Sequence, residues 1–339
     1  MFPDDPFSAC LKLSGEAQAG FHRRAAEERD GLFGNRVFVR GVVEISNFCR
    51  ENCGYCAMRR DHRDQHRYRL SAEEIAEEVI PNIPDFVTDL NIQAGEDPVA
   101  VREIAIPLIR ELKASTTLGI SVCLGTLPDR DYAALQEAGA DYYVIKVETG
   151  NAGHYRSVES PGSLEERVAA IRHLAASGWN VSSGFVLGLP GQTDAILDET
   201  VALLESLPLA GCSVSPFIPG ENTRFSDHPA SGLAAVLNVV AGLRLRMPTC
   251  IIPAVSAMSL AGEGGYAGAL RAGANLATIN LTPDRARADY QIYRKDRHIM
   301  TAGRVLAEIE AAGCLPSAAS MRDWLLRNGS EIATDSCPN

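Results

Sequence analysis

Eight short runs of β-branched and other apolar residues alternate with longer amphipathic runs along this chain of 339 residues, and no other feature constrains the fold as strongly. The strand-like runs are residues 37–45, 87–92, 119–124, 142–147, 180–187, 212–216, 250–255 and 276–279. Strand, helix, strand repetition indicates a parallel sheet with right-handed crossovers. Eight such units predict an α/β chain folded as a closed (β/α)8 TIM-type barrel, with an open doubly wound sheet as the alternative.

The predicted helices lie between these strands, and several end in a glycine such as Gly139 or Gly313. Glycine just past a helix is a common stop because it accepts the left-handed backbone. The helices are predicted at residues 72–79, 100–113, 130–138, 164–177, 194–207, 233–245, 264–272 and 301–312, with one more at 16–29. We therefore expect an N-terminal helical extension over 1–34, the barrel over 35–315, and a C-terminal tail over 316–339 that frays from about Ser330.

Composition and charge narrow the class of protein. A hydrophobic content of 46% and a charged content of 22% are ordinary for a soluble globular chain. No segment has the length and apolar character of a membrane span, and the first ten residues show no signal pattern. A formal net charge of -11 repels nucleic acid and anionic lipid. The sequence thus predicts a cytoplasmic protein with neither nucleic acid nor membrane as a partner.

A basic stretch between Arg59 and Arg69 contrasts with this acidic balance. Because aromatic residues are not interleaved through it, we favour a solvated loop over a nucleic-acid site. Its position directly after a cysteine motif allows a third interpretation, in which it screens a negatively charged site.

Three of the nine cysteines, Cys49, Cys53 and Cys56, cluster in a Cys-x3-Cys-x2-Cys loop directly after the first predicted strand. The other six are scattered, at Cys10, Cys123, Cys212, Cys250, Cys314 and Cys337. In a reducing cytosol such cysteines are thiols or metal ligands rather than disulfides. Three thiolates on one loop can hold three corners of a 4Fe–4S cluster and leave the fourth iron open. The alternative, a structural zinc site, needs four ligands, and no second short spacing supplies them.

The cysteine loop, with Tyr55 before its last cysteine, resembles the signature of the radical S-adenosylmethionine (SAM) superfamily. The resemblance implies one 4Fe–4S cluster on Cys49, Cys53 and Cys56, with SAM bound at the open iron. It also implies reductive cleavage of SAM to a 5′-deoxyadenosyl radical that acts on a small substrate. The electron would come from a low-potential donor such as ferredoxin or flavodoxin.

Further segments resemble the biotin synthase-like branch and, within it, the FeFe-hydrogenase H-cluster maturases of the HydE type. These segments are residues 40–47, 67–70, 93–98, 184–193, 216–219 and 280–283. They follow one another on successive barrel loops, over about residues 35 to 315. The resemblance implies maturation of the H-cluster, with other hydrogenase maturation proteins as partners.

The same resemblance assigns eight residues to SAM binding: Tyr55, Gly95, Glu96, Glu148, Arg167, Gly188, Pro216 and Ile218. Glu96 would bind the amino group of SAM and Arg167 its carboxylate. Tyr55, Pro216 and Ile218 would complete an adenine pocket. Three of these assignments have a structural alternative. Glu96 could instead cap a helix, Arg167 could be an exposed helix residue, and the adenine-pocket residues could serve ordinary loop packing.

The chain also departs from its relatives. Ser121 and Ser182 stand where biotin synthase has ligands of a second cluster, so we expect neither that cluster nor biotin synthesis. Cys123 lies two residues from Ser121 and faces the same side of its strand. Cys314 stands alone where some HydE-type proteins have a cysteine trio, so we expect no accessory cluster. Lys146 replaces an expected arginine close to the predicted substrate.

The substrate candidates are Lys146, Ser256, Met258, Thr278 and Asn280, with core packing as the alternative for each. Three other functions compete with the maturase: a methylornithine synthase-like carbon-skeleton mutase acting on lysine, a sulfur-inserting enzyme of the biotin or lipoyl kind, and a non-enzymatic iron–sulfur carrier. The mutase resemblance rests on residues 33–38, 95–98 and 272–275. Residues 188–193 and 216–219 fit the maturase better.

Overall fold

A computed structural model describes residues 5–293 and 298–335, without the side chains of residues 329–335, so Cys337 lies outside it. The strands are β1 (Arg36–Ser46), β2 (Asp89–Ala94), β3 (Gly119–Cys123), β4 (Tyr142–Val144), β5 (Asn180–Leu187), β6 (Gly211–Pro216), β7 (Leu276–Asn280) and β8 (Leu315–Pro316). All their pairings are parallel, in the order β6-β5-β4-β3-β2-β1-β7, and the short β8 pairs with the start of β1.

The sheet closes into a ring through the predicted strand at residues 250–255. This segment forms isolated parallel bridges, Ile251 with Gly211 of β6 and Pro253 with Leu276 of β7. The N–H of Ala254 also donates to the carbonyl of Leu276 at 2.8 Å. The predicted (β/α)8 barrel is therefore confirmed, with one of its eight strands reduced to bridges.

The helices surround the ring. They are α1 (Gly15–Phe33), α2 (Ala72–Val79), α3 (Pro98–Ala100), α4 (Ile106–Ser115), α5 (Asp129–Ala138), α6 (Ala152–Ser157), α7 (Leu164–Ala176), α8 (Asp194–Glu205), α9 (Leu233–Arg246), α10 (Ala257–Ala261), α11 (Gly265–Arg271), α12 (Asp284–Arg287), α13 (Ala302–Ala311) and α14 (Met321–Asp335). A π-helical turn (Val101–Ala105) joins α3 to α4, and 3-10 turns cover Phe7–Lys12 and Ile80–Asn82. Among the described helices, none combines the length and hydropathy needed to cross a membrane.

Alternation along the strands separates an apolar layer from a polar interior. On β1 the side chains of Val37, Val39 and Val43 are buried in the main apolar core, which lies between barrel and helices. Arg40 and Glu44 lie at the alternate positions and therefore face the barrel interior. β1 thus contributes apolar side chains to the core on one face and charged side chains to the barrel interior on the other.

The C-terminal helix α14 closes the N-terminal end of the barrel. A second apolar cluster there combines Phe33, Phe38, Tyr142, Ile251, Leu276, Met321 and Leu325. Trp324 stacks on Phe33 with ring centroids 4.3 Å apart, and the carboxylate of Asp89 accepts the N–H of Met321. The region predicted as a C-terminal tail therefore contains a helix, and the loops at the opposite end of the barrel are left for the site.

Candidate active site

The cysteine loop begins at the C-terminal end of β1 and folds around one arginine. The guanidinium of Arg67 donates to the backbone carbonyls of Met58 at 2.9 Å and Arg59 at 2.7 Å. It also donates to the carbonyl of Asn47, next to β1. Arg67 therefore holds the turns of the cysteine loop together, and its charge also lowers the pKa of Cys56, whereas Arg63 is exposed to solvent.

The loop brings the predicted ligands Cys49, Cys53 and Cys56 close enough to interact. Burial is the largest cause that raises the pKa of all three thiols, to about 12 for Cys56. Cys49 raises the pKa of Cys56 further, and both Cys49 and Cys56 raise that of Cys53. Three thiolates so placed repel one another, and iron ions that bind them as anions remove this repulsion. Among the described residues, no three Cys, His, Asp or Glu side chains are placed around a single metal ion. The donor set fits a cluster, in which each cysteine binds a different iron.

The loop after β2 packs directly on the cysteine loop at Gly95. The N–H of Gly95 donates to the carbonyl of Ser46 at 3.2 Å, and the N–H of Glu96 points at Sγ of Cys49 at 3.4 Å. A Cβ added to Gly95 would overlap the carbonyl oxygen of Phe48 and lie 2.8 Å from Cβ of Cys49. Glycine is therefore required here by the close approach of two backbones.

Asp97 fixes the two loops side by side. Its Oδ2 accepts a hydrogen bond from Oγ of Ser46 at 2.8 Å. Arg69 binds both carboxylate oxygens, at 2.7 and 3.0 Å, and its guanidinium lies 3.9 Å from the ring centroid of Phe48. The bidentate ion pair and the cation–π contact hold the start of the cysteine loop against β2.

Glu96 and Arg167, the residues predicted to bind the amino acid part of SAM, form an ion pair with each other. Nη2 of Arg167 donates to Oε1 of Glu96 at 3.0 Å, and Oε2 accepts from Nη2 of Arg50 at 3.2 Å. Arg167 is 4% exposed, so its interpretation as an exposed helix arginine is wrong. Burial opposes its charge, but Glu96 and Tyr155 outweigh burial and raise the pKa of Arg167. Its Nε has no hydrogen-bond partner within the described chain, so one donor remains for a ligand.

Glu148 follows β4 with a left-handed backbone, φ 60°, which is uncommon for a residue with a side chain. Its N–H donates to the carbonyl of Gly184 at 3.0 Å, and its carbonyl accepts from the N–H of Val186 at 3.1 Å. Burial raises the pKa of Glu148, and Lys146 acts in the opposite direction. Glu148 also raises the pKa of Cys53, so its carboxylate lies near the cysteine loop. A buried carboxylate in this place can bind a hydroxyl or a cationic group.

The residues predicted to form the adenine pocket, together with the predicted SAM-binding residue Gly188, come from three places. Tyr55 belongs to the cysteine loop, Gly188 follows β5, and Pro216 and Ile218 lie at the end of β6. Tyr55 packs on a small apolar cluster formed by Val158, Leu189, Phe217 and Phe225. Gly188 has φ 81°, and its N–H donates to Oε1 of Gln192 at 2.6 Å. Pro216 ends β6, and Ile218 is 1% exposed. All four predicted residues thus lie at the end of the barrel that carries the cysteine loop, although the burial of Ile218 fits its alternative, loop packing.

The barrel interior beneath these loops is polar, and among the described residues it contains the cations Lys146 and Arg40 and the buried carboxylates of Glu44 and Asp89. Nζ of Lys146 donates to Oγ of Ser215 at 3.1 Å. Deeper in the barrel, Nη2 of Arg40 donates to Oγ1 of Thr278 at 3.4 Å, and burial lowers the pKa of Arg40. Lys146 and Thr278, both substrate candidates, therefore face a common interior space, and Asn280 stands above them at the end of β7.

The two remaining substrate candidates lie elsewhere. Met258 is 0% exposed and belongs to the apolar core between barrel and helices, so core packing accounts for it. Ser256 is exposed at the start of α10.

Ser121 and Ser182 face the barrel interior, where the sequence suggested ligands of a second cluster in related enzymes. Oγ of Ser121 donates to Oδ1 of Asn91 at 2.9 Å, and Ser182 lowers the pKa of the neighbouring Tyr142. Cys123 lies on the same face of β3 as Ser121. The side chains of both serines therefore interact with other polar side chains of the barrel wall.

Sequence reasoning missed three residues that the fold brings to the site: Arg40, His154 and Tyr155. Arg40 had a signal, since it is a charged residue at an inward position of a strand rich in valine. The hydroxyl of Tyr155 donates to the carbonyl of Pro161 at 2.6 Å, and Tyr155 raises the pKa of Arg167. His154 and Tyr155 lie on α6, whose six residues are too few to show a helical pattern.

Comparisons with known proteins agree with this geometry. Residues 43–204 match a family model described as Radical SAM superfamily. The chain is 32% identical over 305 residues to the FeFe hydrogenase maturase subunit HydE of Thermotoga maritima, covering 89% of this chain and 84% of that protein. It is 27% identical over 334 residues to 3-methylornithine synthase of Methanosarcina acetivorans, covering 96% and 93%. The crystal structure of methylornithine synthase (PylB) superposes with a TM-score of 0.81 at 25% identity, covering 94% and 95%. The chain therefore belongs to the radical SAM superfamily, whose enzymes use a 4Fe–4S cluster and SAM.

Proposed function

We propose that this radical SAM enzyme acts on a small anionic precursor of the H-cluster of FeFe hydrogenase, in a step similar to that of HydE. The similarity to that maturase subunit extends over most of both chains. The observation that carries the substrate class is Arg40, whose Nε has no hydrogen-bond partner within the described chain. The carboxylate of Asp89 favours the charge of Arg40 but forms neither a hydrogen bond nor a close ion pair with it in the described chain, so a direct anionic partner would lower the cost of burying the guanidinium. A carboxylate or similar group of the substrate would provide that partner.

We assign Cys49, Cys53 and Cys56 as the cluster ligands, and Glu96 with Arg167 as the residues that hold the methionyl group of SAM. When bound, the cluster and SAM supply a 5′-deoxyadenosyl radical that abstracts hydrogen from a substrate. The Glu96–Arg167 pair presents opposite charges side by side, 3.0 Å apart, which matches the ammonium and carboxylate of a zwitterion. When SAM binds, Glu96 would pair with its ammonium and Arg167 with its carboxylate in place of each other. The net charge of the buried site would not change, so no charge would be left buried without a partner.

The interior then orients the substrate along the barrel axis. Arg40 would hold its anionic group at the deep end, with Thr278 beside it. Lys146 lies nearer the loops and donates a hydrogen bond to Oγ of Ser215. A substrate oxygen could replace the serine as the acceptor of this hydrogen bond. The reacting end would point toward Glu148 and the cysteine loop. Helix α14 closes the deep end of the barrel and would exclude water from it.

A second candidate is a methylornithine synthase-like mutase, which the extended fold similarity to PylB supports. Its proposed substrate, lysine, carries a side-chain ammonium in addition to its α-amino group. The interior holds the carboxylates of Glu44 and Asp89 as well as Lys146 and Arg40, so its charge does not exclude a diamine. The identity to methylornithine synthase is lower, however, at 27% against 32% for HydE. We therefore rank this function second. Sulfur insertion has less support, because Ser121 and Ser182 offer hydroxyls rather than thiolates.

Complementation tests the maturase proposal. A bacterial strain that carries an FeFe hydrogenase and its other maturation proteins, but lacks its HydE-type maturase, receives this chain or a variant of it. We expect the wild type to restore hydrogen production, Cys53→Ala to abolish it, and Arg40→Gln to lower it at least about tenfold. In vitro, dithionite replaces the ferredoxin or flavodoxin that we propose as electron donor. Failure to restore hydrogenase, combined with conversion of lysine to methylornithine by the purified enzyme, would favour the second candidate instead.

A further inference from the structure

Glu148 is held in a backbone conformation that strains a residue with a side chain. Its φ is 60°, and such a strained conformation persists only where the surrounding structure enforces it. Two hydrogen bonds to β5 fix the peptide groups of Glu148 itself. The next residue, Thr149, turns away from the sheet, and its N–H donates to the carbonyl of Val147 at 2.7 Å. The backbone of Glu148 is therefore held on one side by β5 and on the other by Thr149.

The side chain of Thr149 is fixed by His154. Thr149 is 0% exposed, and its Oγ1 lies 2.9 Å from Nδ1 of His154. The other ring nitrogen, Nε2, lies 3.1 Å from the carbonyl oxygen of Pro190. Since a carbonyl only accepts, Nε2 is the donor, and in the tautomer protonated at Nε2 the other nitrogen, Nδ1, accepts the hydroxyl proton of Thr149. His154 is 5% exposed, so water does not compete for either nitrogen.

The hydrogen bonds from Thr149 through His154 to Pro190 form a relay that joins two loops. Both loops contribute to the proposed SAM site. Thr149 follows Glu148 at the end of β4, and Pro190 follows the end of β5. The imidazole spans the gap between them from α6, where the side chain of Asn151 caps the helix and accepts the N–H of His154 at 2.9 Å. The ring is thus itself fixed, and it fixes both loops at once.

We propose that His154 is a positioning residue, which acts through Thr149 to keep Glu148 in its left-handed conformation and its carboxylate beside the cysteine loop. The inference rests on the proposed role of Glu148 in binding SAM. A histidine that only stabilised the fold would affect the stability of the chain, but it would have no specific coupling to Glu148. Loss of the Thr149 contact would let Glu148 relax to an ordinary conformation and move its carboxylate away.

A SAM-binding test distinguishes the contributions of the two ring nitrogens of His154. Thr149→Val removes the hydroxyl but keeps the shape, His154→Gln keeps a donor near Nε2, and His154→Asn keeps an acceptor near Nδ1. The control is His173→Asn, a side chain 44% exposed that pairs with an exposed Asp129. We expect the dissociation constant of SAM to rise about tenfold in Thr149→Val and His154→Gln, about twofold in His154→Asn, and not at all in the control. Equilibrium dialysis against the oxidised, cluster-loaded protein measures binding without SAM cleavage.

A double-mutant cycle then tests whether the effect passes through Glu148. In a Glu148→Gln background, Thr149→Val should add less than about twofold, because the carboxylate that it positions is already gone. Equal losses in both backgrounds would show a role independent of Glu148 and would overturn the inference. An unchanged dissociation constant in Glu148→Gln would overturn it as well. Failure of hydrogenase complementation would not, since these measurements involve SAM alone.

A second readout requires neither the cluster nor SAM. In the cluster-free chain labelled with ¹⁵N at histidine, we expect His154 to show a protonated Nε2 and an unprotonated Nδ1. Thr149→Val should shift the Nδ1 resonance while the chain keeps its thermal transition. If Nδ1 of the wild-type ring carried the proton and Nε2 did not, the relay would be absent and the proposal would be wrong.

Discussion

Arg167 on α7 donates a hydrogen bond to Glu96, in the loop after β2, at 3.0 Å. Both side chains are nearly buried, with 5% and 10% of their surface exposed. Arg50 approaches the same carboxylate from the cysteine loop at 3.2 Å. One carboxylate therefore connects three segments of the proposed site, and its removal should affect the fold as well as binding.

Breaking this pair should lower the stability of the chain. Arg167→Met leaves Glu96 buried with only the partly exposed Arg50 as an ionic partner, and we expect the free energy of unfolding to fall by about 3 kcal/mol. The control Arg50→Met removes a side chain that is 47% exposed, and it should cost less than about 1 kcal/mol. Urea denaturation of the cluster-free protein measures both values. Equal costs would show that burial of the pair is not what matters.

The sequence predicted elements well where local chemistry determines them. Helix α2 covers Ala72–Val79 as predicted, because Ser71 and Glu74 form a capping box at its start. Helix α14 was missed, because its apolar residues are few and bury only against the distant end of the barrel. The burial of Arg167 could not be predicted either. Its sequence neighbours are acidic, and its partner Glu96 comes from a loop 71 positions away.

Gly95→Ala should displace the cysteine loop. A methyl group at this position would overlap the carbonyl oxygen of Phe48, and rigid backbone on both sides leaves little room to adjust. We expect the reconstituted protein to retain less than about half of its iron and to bind SAM at least about tenfold more weakly. Gly303→Ala is the matched control, because a Cβ there meets nothing within 4 Å. Iron analysis and equilibrium dialysis of both variants provide the measurement, and normal iron retention in Gly95→Ala would refute the steric argument.

Cys53→Ala should separate cluster binding from folding. The wild-type protein is expected to bind about four irons per chain after anaerobic reconstitution, and the variant should lose most of this iron and all SAM cleavage. Removing a small buried side chain should leave the circular dichroism spectrum unchanged. Cys314→Ala serves as control, since Cys314 is buried in the apolar core and lies outside the cysteine loop. If Cys53→Ala retained full iron, or if both variants lost it equally, the assignment of the loop would fail.

Asp89 should make the stability of the barrel depend on pH. Its carboxylate accepts the N–H of Met321 and the hydroxyl of Thr88 at the deep end of the barrel, and burial raises its pKa to about 6. In the unfolded chain this carboxyl has a pKa near 4. The folded chain therefore holds the proton more tightly, so the contribution of Asp89 to stability is greatest below about pH 4 and is lost as the pH rises through about 6.

Asp89→Asn mimics the protonated carboxyl at every pH, so it removes this dependence. Relative to the wild type, the variant should be similarly stable near pH 4 and more stable near pH 7.5, by up to the order of 3 kcal/mol. Burial also raises the pKa of Asp141 to about 6, but Asp141 titrates in both proteins and therefore contributes little to their difference. Asp227→Asn, which alters an exposed carboxylate, should give a difference of nearly zero at both pH values. Urea denaturation at the two pH values measures the free energy of unfolding of each protein. If Asp89→Asn were less stable than the wild type at pH 7.5, the pKa of Asp89 would not be raised in the folded chain.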